Sequence, residues 1–120
     1  MAKFNLKEYR PPNSFAFIGR TQGELARKTL DLDSLDKTGE SIELVVPKDT
    51  TSFNPSFFLG LLYNSISKLG VSDFRKKYNF VYETESASLK DILSKNIEDG
   101  IRNATNSLNN KSGLSVFQWV

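Results

Sequence analysis

The sequence contains no histidine and no cysteine among its 120 residues. These absences exclude catalytic triads with a histidine base, thiol nucleophiles, and zinc sites built from nitrogen and sulfur ligands. Only lysine, carboxylate and hydroxyl groups remain for chemistry, and they do not cluster in a recognisable catalytic motif. The sequence therefore predicts a protein without catalytic residues, a metal site or a cofactor.

Long apolar runs and an excess of one charge are also missing. No stretch of about 18 apolar residues suggests a membrane span, and the N-terminal sequence MAKFNLKE lacks the apolar core of a signal peptide. The 16 basic and 14 acidic side chains are spread along the chain, so nothing indicates a nucleic-acid partner. Together with the absence of disulfides, this composition predicts a cytoplasmic protein.

The clearest local pattern lies in residues 42–70. Ile42–Val46 is an apolar run that a proline follows, which is typical of a buried strand. After a polar loop, Asn54 and Pro55 form the pair expected at a helix start, with an N-cap residue followed by proline at the first helical position. Apolar residues then recur at steps of three and four as far as Gly70, which can close a helix. This segment is predicted to be a strand, a loop and a buried helix.

The other elements are predicted from shorter patterns of apolar residues and capping signals. Strands are expected at Phe15–Ile18, Tyr78–Glu83 and Leu114–Val120, the last containing Trp119. Helices are expected from the capping box Thr21/Glu24 onward and over residues 88–106, the latter opened by Ser88 and Asp91. Residues 31–41 and 71–77 are expected to be solvated, charged connections.

The alternation of strands and helices predicts an α/β fold. We expect a single layered domain over residues 15–120, with a mixed β-sheet of about four to five strands covered by about three helices. Residues 1–14 are expected to form a short N-terminal arm with a weak edge strand near Phe4–Leu6.

The acidic residues between 31 and 41 also invite comparison with a calcium-binding loop. Such a loop needs ligands at alternating positions, a central glycine and a distal glutamate, and Leu35 and Asp36 break this spacing. A solvated connection is the better interpretation.

Three segments of the chain resemble a small bacterial type of STAS-like domain. They are Phe17–Arg27, the strand Ile42–Val46 and the segment Ser52–Leu62. The resemblance covers most of residues 15–105. It implies an interaction module related to anti-sigma factor antagonists, which dock on a histidine-kinase-like ATPase and are switched when that partner phosphorylates a serine at a helix start.

The resemblance assigns the phosphorylated position to Ser56. Asn54 then stands where the antagonists have an aspartate, Pro55 replaces a serine, and Phe57 replaces a glycine. A phosphate on Ser56 would lie in the first turn of the predicted helix, where free amides and the helix dipole favour negative charge. Serine is also common in first turns without any such role.

Three functions follow from these residues. The first is a protein-interaction module with Ser56 as its phosphorylation candidate. The second is a small nucleotide- or phosphate-binding domain using the helix start at Asn54–Ser56. The third, which is weaker, is a hydrolase or transferase using Lys48 and Asp49 with neighbouring hydroxyls. The predicted partner-binding residues of the first are Lys48, Asp49, Thr50, Thr51, Ser52, Asn54 and Phe57.

Overall fold

The computed structural model describes residues 2–11 and 13–117, with side chains described as far as residue 109. The strands are β1 (Ala2–Asn5), β2 (Ala16–Phe17), β3 (Ile42–Val46), β4 (Ser52–Phe53) and β5 (Tyr78–Tyr82). The helices are α1 (Arg20–Leu30), α2 (Leu32–Leu35), α3 (Pro55–Leu69), α4 (Val71–Lys77) and α5 (Ala87–Phe117), with a 3₁₀ turn at Lys7–Tyr9.

The predicted α/β fold is confirmed, with one difference in the sheet. The strands form a three-stranded sheet in the order β1-β3-β5 and a separate two-stranded sheet, β2-β4, and every described pairing is parallel. The expectation of one mixed sheet of four to five strands is therefore wrong. Helices return the chain to the same end of the three-stranded sheet before each new strand, and such crossovers produce parallel neighbours.

The three-stranded sheet has one face in the core and one face outside it. Leu44 lies between Phe4 and Phe80 in the register of the strands, and these side chains belong to the core or pack against it. Val45 and Val81 alternate with them on the opposite face, where Val45 is buried and Val81 is 36% exposed. The main core cluster therefore lies on the Leu44 face of this sheet, and the opposite face is partly covered.

The N-terminal residues contribute to the same core. An edge strand was expected near Phe4–Leu6, and the structure has β1 at Ala2–Asn5, hydrogen-bonded along β3. Leu6 follows it and is fully buried.

The two main predicted strands and the helix between them are confirmed. Asn54 caps α3, Pro55 is its first residue, and Gly70 follows its end with a positive φ of 82°. The segment 71–77, predicted to be a solvated connection, is instead helix α4. Phe74 anchors it in the core, stacked on Tyr78 with ring centroids 4.9 Å apart. Its acidic first turn and basic last turn also complement the helix dipole.

Helix starts and the C-terminal segment also differ from the predictions. Gly19, not Thr21, precedes α1, and no side chain caps that helix. At α5 the hydroxyl of Ser86, not that of Ser88, accepts a hydrogen bond from the Leu89 amide, at 3.2 Å. α5 continues to Phe117, so the strand predicted from Leu114 is wrong as far as that residue. Residues 118–120, with Trp119, lie outside the described residues.

Helices α1 and α3 cross in contact with each other's backbone. A Cβ atom placed on Gly23 would lie 2.2 Å from the Phe57 carbonyl oxygen, and one on Gly60 would lie 2.2 Å from that of Arg20. Only glycine permits such an approach. Within the described part of the chain, none of the helices has the length and apolar character needed to cross a bilayer.

Candidate functional site

The loop between β3 and β4 displays three of the predicted binding residues to solvent. Lys48, Asp49 and Thr51 are exposed. Asp49 forms an ion pair with Arg10, whose Nη1 lies 2.6 Å from a carboxylate oxygen. The hydrogen bond from this guanidinium lowers the pKa of the Asp49 carboxyl below its usual value. Asp49 is therefore held in its ionised form by the 3₁₀-turn region.

Two of the predicted partner-binding residues are not accessible. Thr50 is fully buried, and its amide donates to the Pro47 carbonyl at 3.1 Å. Phe57 is also fully buried and packs between Phe17 and Phe53, with ring centroids 5.0 and 5.2 Å away. The expectation that these two side chains contact a partner is corrected, because both are buried, Phe57 within the aromatic core beside Phe17 and Phe53.

The short β2-β4 sheet joins the loop to two exposed apolar side chains. The Thr51 amide donates to the Phe15 carbonyl at 2.7 Å, and the Asn54 amide donates to the Phe17 carbonyl at 2.9 Å. Phe15 and Ile18, at the two ends of β2, are 56% and 47% exposed. We call the surface formed by Phe15, Ile18 and the exposed residues Lys48, Asp49, Thr51 and Asn54 the β2-β4 surface.

The sequence did not reveal the exposure of Phe15 and Ile18. A run of apolar residues is typical of a core strand, and of the four residues 15–18 only Phe17 is fully buried. β2 has only two residues, so the alternation that separates its inner and outer faces is too short to identify from sequence.

The start of α3 places Ser56 where the sequence predicted it. Asn54 Oδ1 accepts a hydrogen bond from the Ser56 amide at 2.8 Å and a second from the Ser56 hydroxyl at 2.6 Å. Ser56 is partly exposed. Asn54 thus already occupies the first amide of the helix, so a bound phosphate or nucleotide would have to displace this cap. The observation disfavours the ligand-binding alternative at Asn54–Ser56.

A buried polar network lies between α1 and α3, and it was not predicted from the sequence. Arg27 donates five hydrogen bonds, which reach Asp33, Asp36, Ser65 and the Leu61 carbonyl. Five is the full donor capacity of a guanidinium group. We call Arg27, Asp33, Asp36, Ser65 and Tyr78 the Arg27 network.

Asp36 is the acceptor at the centre of the Arg27 network. Its carboxylate accepts from the Ser65 hydroxyl at 2.5 Å, the Tyr78 hydroxyl at 2.5 Å and Arg27 Nη2 at 3.1 Å. The prediction that 31–41 is a solvated connection is wrong here, since Asp36 is buried and neutralised by Arg27. Burial and the nearby Asp36 carboxylate raise the pKa of Tyr78 well above its usual value.

The Arg27 network has the character of a structural feature. Arg27 has no donor left for a ligand, and Asp36 is occupied by three donors. An adjacent cleft of about 450 Å³ is lined by Arg20, Glu24 and Asn64, among others. The described residues include two buried side-chain atoms without a partner, Arg10 Nε and Thr50 Oγ1, and neither residue lines this cleft. Nothing there points to a bound substrate.

Comparison with known proteins adds no relative. No family model, no curated protein and no solved structure matches the chain. The resemblance to STAS-like domains therefore stays a prediction, and the function is argued from the surface described above.

Proposed function

We propose that this protein is a non-enzymatic interaction module that docks on a regulatory protein partner through the β2-β4 surface. The observation that carries the proposal is the exposure of Phe15 and Ile18 on either side of β2, beside a polar loop that is hydrogen-bonded to the Phe15 and Phe17 carbonyls. Large apolar side chains that are open to solvent are typical of protein interaction sites.

The energetics favour a protein as the occupant of this surface. Burying a phenylalanine or an isoleucine completely contributes about 1.5 to 3 kcal/mol each. Thr51 is hydrogen-bonded to the Phe15 carbonyl, and Lys48 and Asp49 are exposed in the same loop. An apolar centre with a polar border is the usual arrangement of a protein–protein interface.

The chemistry of the surface supports a binding role over a catalytic one. Asp49 is one of the two charged residues of the hydrolase alternative, and its pairing with Arg10 lowers the pKa of its carboxyl, which would make it a weak base. Lys48 has no described residue positioning it. With histidine and cysteine absent from the whole chain, no nucleophile on this surface has an activating base.

The STAS-like resemblance suggests the class of partner. A histidine-kinase-like ATPase is the protein on which anti-sigma factor antagonists dock, and Ser56 lies in the first turn of α3, next to the β2-β4 surface. In this proposal such an ATPase, or a regulatory protein like it, binds Phe15 and Ile18. Its affinity depends on whether Ser56 is phosphorylated.

The double variant Phe15→Ser, Ile18→Ser tests the apolar centre of the surface. It should bind a candidate ATPase at least roughly tenfold more weakly than the wild type, because it removes the apolar area that the interface would bury. Calorimetric titration measures the affinity. Leu25→Ser is the matched control, since Leu25 is 53% exposed on α1 and outside the surface. Equal losses in both variants would contradict the assignment of this surface.

Ser56→Asp compared with Ser56→Ala tests the proposed switch. The aspartate variant should bind the ATPase more weakly, because it places negative charge where the partner meets an uncharged hydroxyl. Both variants should melt near the wild-type temperature, since an acidic group in a first turn contributes only about 0.3 to 1 kcal/mol, and favourably. Equal affinities would remove the switch from the proposal while leaving the binding module.

A further inference from the structure

The side chain of Arg10 is buried where the N-terminal residues meet the loop between β3 and β4. Only 8% of it is exposed, although Arg10 belongs to no helix or strand. Its guanidinium carbon lies 6.0 Å from the ring centroid of Phe17, the buried residue of β2, and its Nη1 lies 2.6 Å from the Asp49 carboxylate. Arg10 therefore connects the aromatic core under the β2-β4 surface with the exposed part of the loop.

Arg10 also joins two segments that both contribute to the β2-β4 surface. One is the stretch of chain that leads from Arg10 to Phe15, and the other is the loop of residues 47–51. The end of this loop is fixed by the burial of Thr50 and by the Thr51 amide, which donates to the Phe15 carbonyl at 2.7 Å. Its first three residues border an open cleft of about 300 Å³. Of the residues that the structure describes, only Arg10 reaches this first half of the loop with a hydrogen-bonding side chain from elsewhere in the chain.

Stability alone does not explain a buried arginine at this position. The described residues include two buried side-chain atoms without a hydrogen-bond partner, Arg10 Nε and Thr50 Oγ1, and Thr50 adjoins the Asp49 that Arg10 binds. A buried donor without a partner costs free energy, which an apolar side chain of similar length would avoid. Natural proteins tolerate such departures mainly at functional sites.

The two buried arginines of the chain differ in what their loss would leave behind. Without Arg27, the Asp36 carboxylate would remain buried and unpaired. Without Arg10, the Asp49 carboxylate would be solvated, because its side chain is already 52% exposed. The fold should therefore depend strongly on Arg27 and little on Arg10. What depends on Arg10 is the relative position of the two segments that it joins.

We propose that Arg10 is a positioning residue of the β2-β4 surface. Its guanidinium, beside Phe17 and paired with Asp49, holds the segment that leads to Phe15 against the loop in the arrangement that the partner binds. Arg10 is too buried to contact a partner itself, so its effect on binding passes through the residues that it holds. Segments already held in the bound arrangement lose less conformational entropy on association, which strengthens binding. This inference rests on the function proposed above.

Arg10→Met tests the positioning role. Methionine fills much of the buried volume without the guanidinium, so circular dichroism should show a folded protein that melts near the wild-type temperature. The amides of Thr50 and Thr51, whose hydrogen bonds hold the loop, should exchange with deuterium several times faster than in the wild type. Affinity for the ATPase used in the Phe15→Ser, Ile18→Ser titration should fall roughly tenfold. A purely structural arginine would not lower affinity without lowering stability.

Arg75→Met is the matched control for the lost charge. Arg75 pairs with Glu98 between α4 and α5, outside the β2-β4 surface. This variant should keep the wild-type affinity and the wild-type exchange rates in the loop. Equal losses of affinity in Arg75→Met and Arg10→Met would overturn the positioning role, because net charge would then explain both.

A double-mutant cycle tests whether Arg10 acts through Asp49. Asp49→Ala leaves the buried guanidinium without its partner, so it should also weaken binding and accelerate exchange in the loop. The double variant Arg10→Met, Asp49→Ala should bind no more weakly than the weaker of the two single variants, because both changes break one contact. Losses of affinity that simply add would show that the two residues act separately, and would overturn the inference.

The failure of this inference can be told apart from the failure of the proposed function. If Phe15→Ser, Ile18→Ser weakens binding while Arg10→Met keeps the wild-type affinity, the positioning role is overturned and the proposed function stands. If Phe15→Ser, Ile18→Ser binds like the wild type, the proposed function is overturned and the positioning role with it. Wild-type exchange rates of the Thr50 and Thr51 amides in Arg10→Met would overturn the positioning role whatever the partner.

Discussion

Replacing Arg27 by methionine is expected to lower the free energy of unfolding by about 3 to 5 kcal/mol, the cost of breaking a buried ion pair by removing one partner. Methionine fills much of the same volume but leaves the Asp36 carboxylate buried without its counter-ion. It also leaves the Leu61 carbonyl without the 2.9 Å hydrogen bond from Arg27. Urea unfolding followed by circular dichroism measures the change.

Arg102→Met is the matched control for this prediction. Arg102 pairs with Asp99 one helical turn away, and its side chain is 63% exposed. Exposed pairs contribute only about 0 to 1 kcal/mol, so this variant should unfold close to the wild type. If the two methionine variants lost the same stability, burial would not be what makes the Arg27 network important.

The Arg27 network also shows why part of the structure could not be predicted from the sequence. Its members come from α1, the α2 connection, α3 and β5, and Arg27 and Ser65 are 38 residues apart. Asp36 stands among other acidic residues in a polar segment, which is the composition of a solvated loop. Nothing local distinguishes it from its exposed neighbour Asp33. Only the packing of α1 on α3 reveals that its counter-ion is Arg27.

The elements that were predicted correctly have local signals that tertiary contacts did not override. Ile42–Val46 is apolar and ends at a proline, and α3 has both its N-cap asparagine and its closing glycine. Helix α4 has a single buried residue, Phe74, among polar ones, so it lacks the repeated apolar spacing that would identify a helix.

The candidate site could be predicted in part for the same reason. Asn54 and Ser56 follow from capping chemistry, which acts between neighbours in the chain. The burial of Thr50 and Phe57 depends on how the loop folds over the aromatic core. The exposure of Phe15 depends on the pairing of two strands of two residues each. Neither has a signature in a local window of sequence.

Gly60→Ala is expected to destabilise the protein by at least about 2 kcal/mol, within the usual range for overpacking a core. Helix propensity alone favours alanine over glycine by about 1 kcal/mol, so propensity and packing predict opposite signs. Packing should decide the outcome, because the new methyl carbon would lie 2.2 Å from the Arg20 carbonyl oxygen and 2.9 Å from the Glu24 amide nitrogen. These are backbone atoms of α1 and cannot rotate away.

The helices must therefore separate, and the Arg27 network would be strained with them. Arg27 lies one turn beyond Gly23 on α1 and reaches the Leu61 carbonyl and the Ser65 hydroxyl on α3, and both contacts require the close crossing. Gly39→Ala is the control, since a Cβ there would meet no atom within 4 Å. Thermal and urea unfolding should give Gly39→Ala close to wild-type stability. A Gly60→Ala protein as stable as the wild type would show that α1 and α3 do not meet at their backbones. It would also contradict the hydrogen bonds that Arg27 donates to α3.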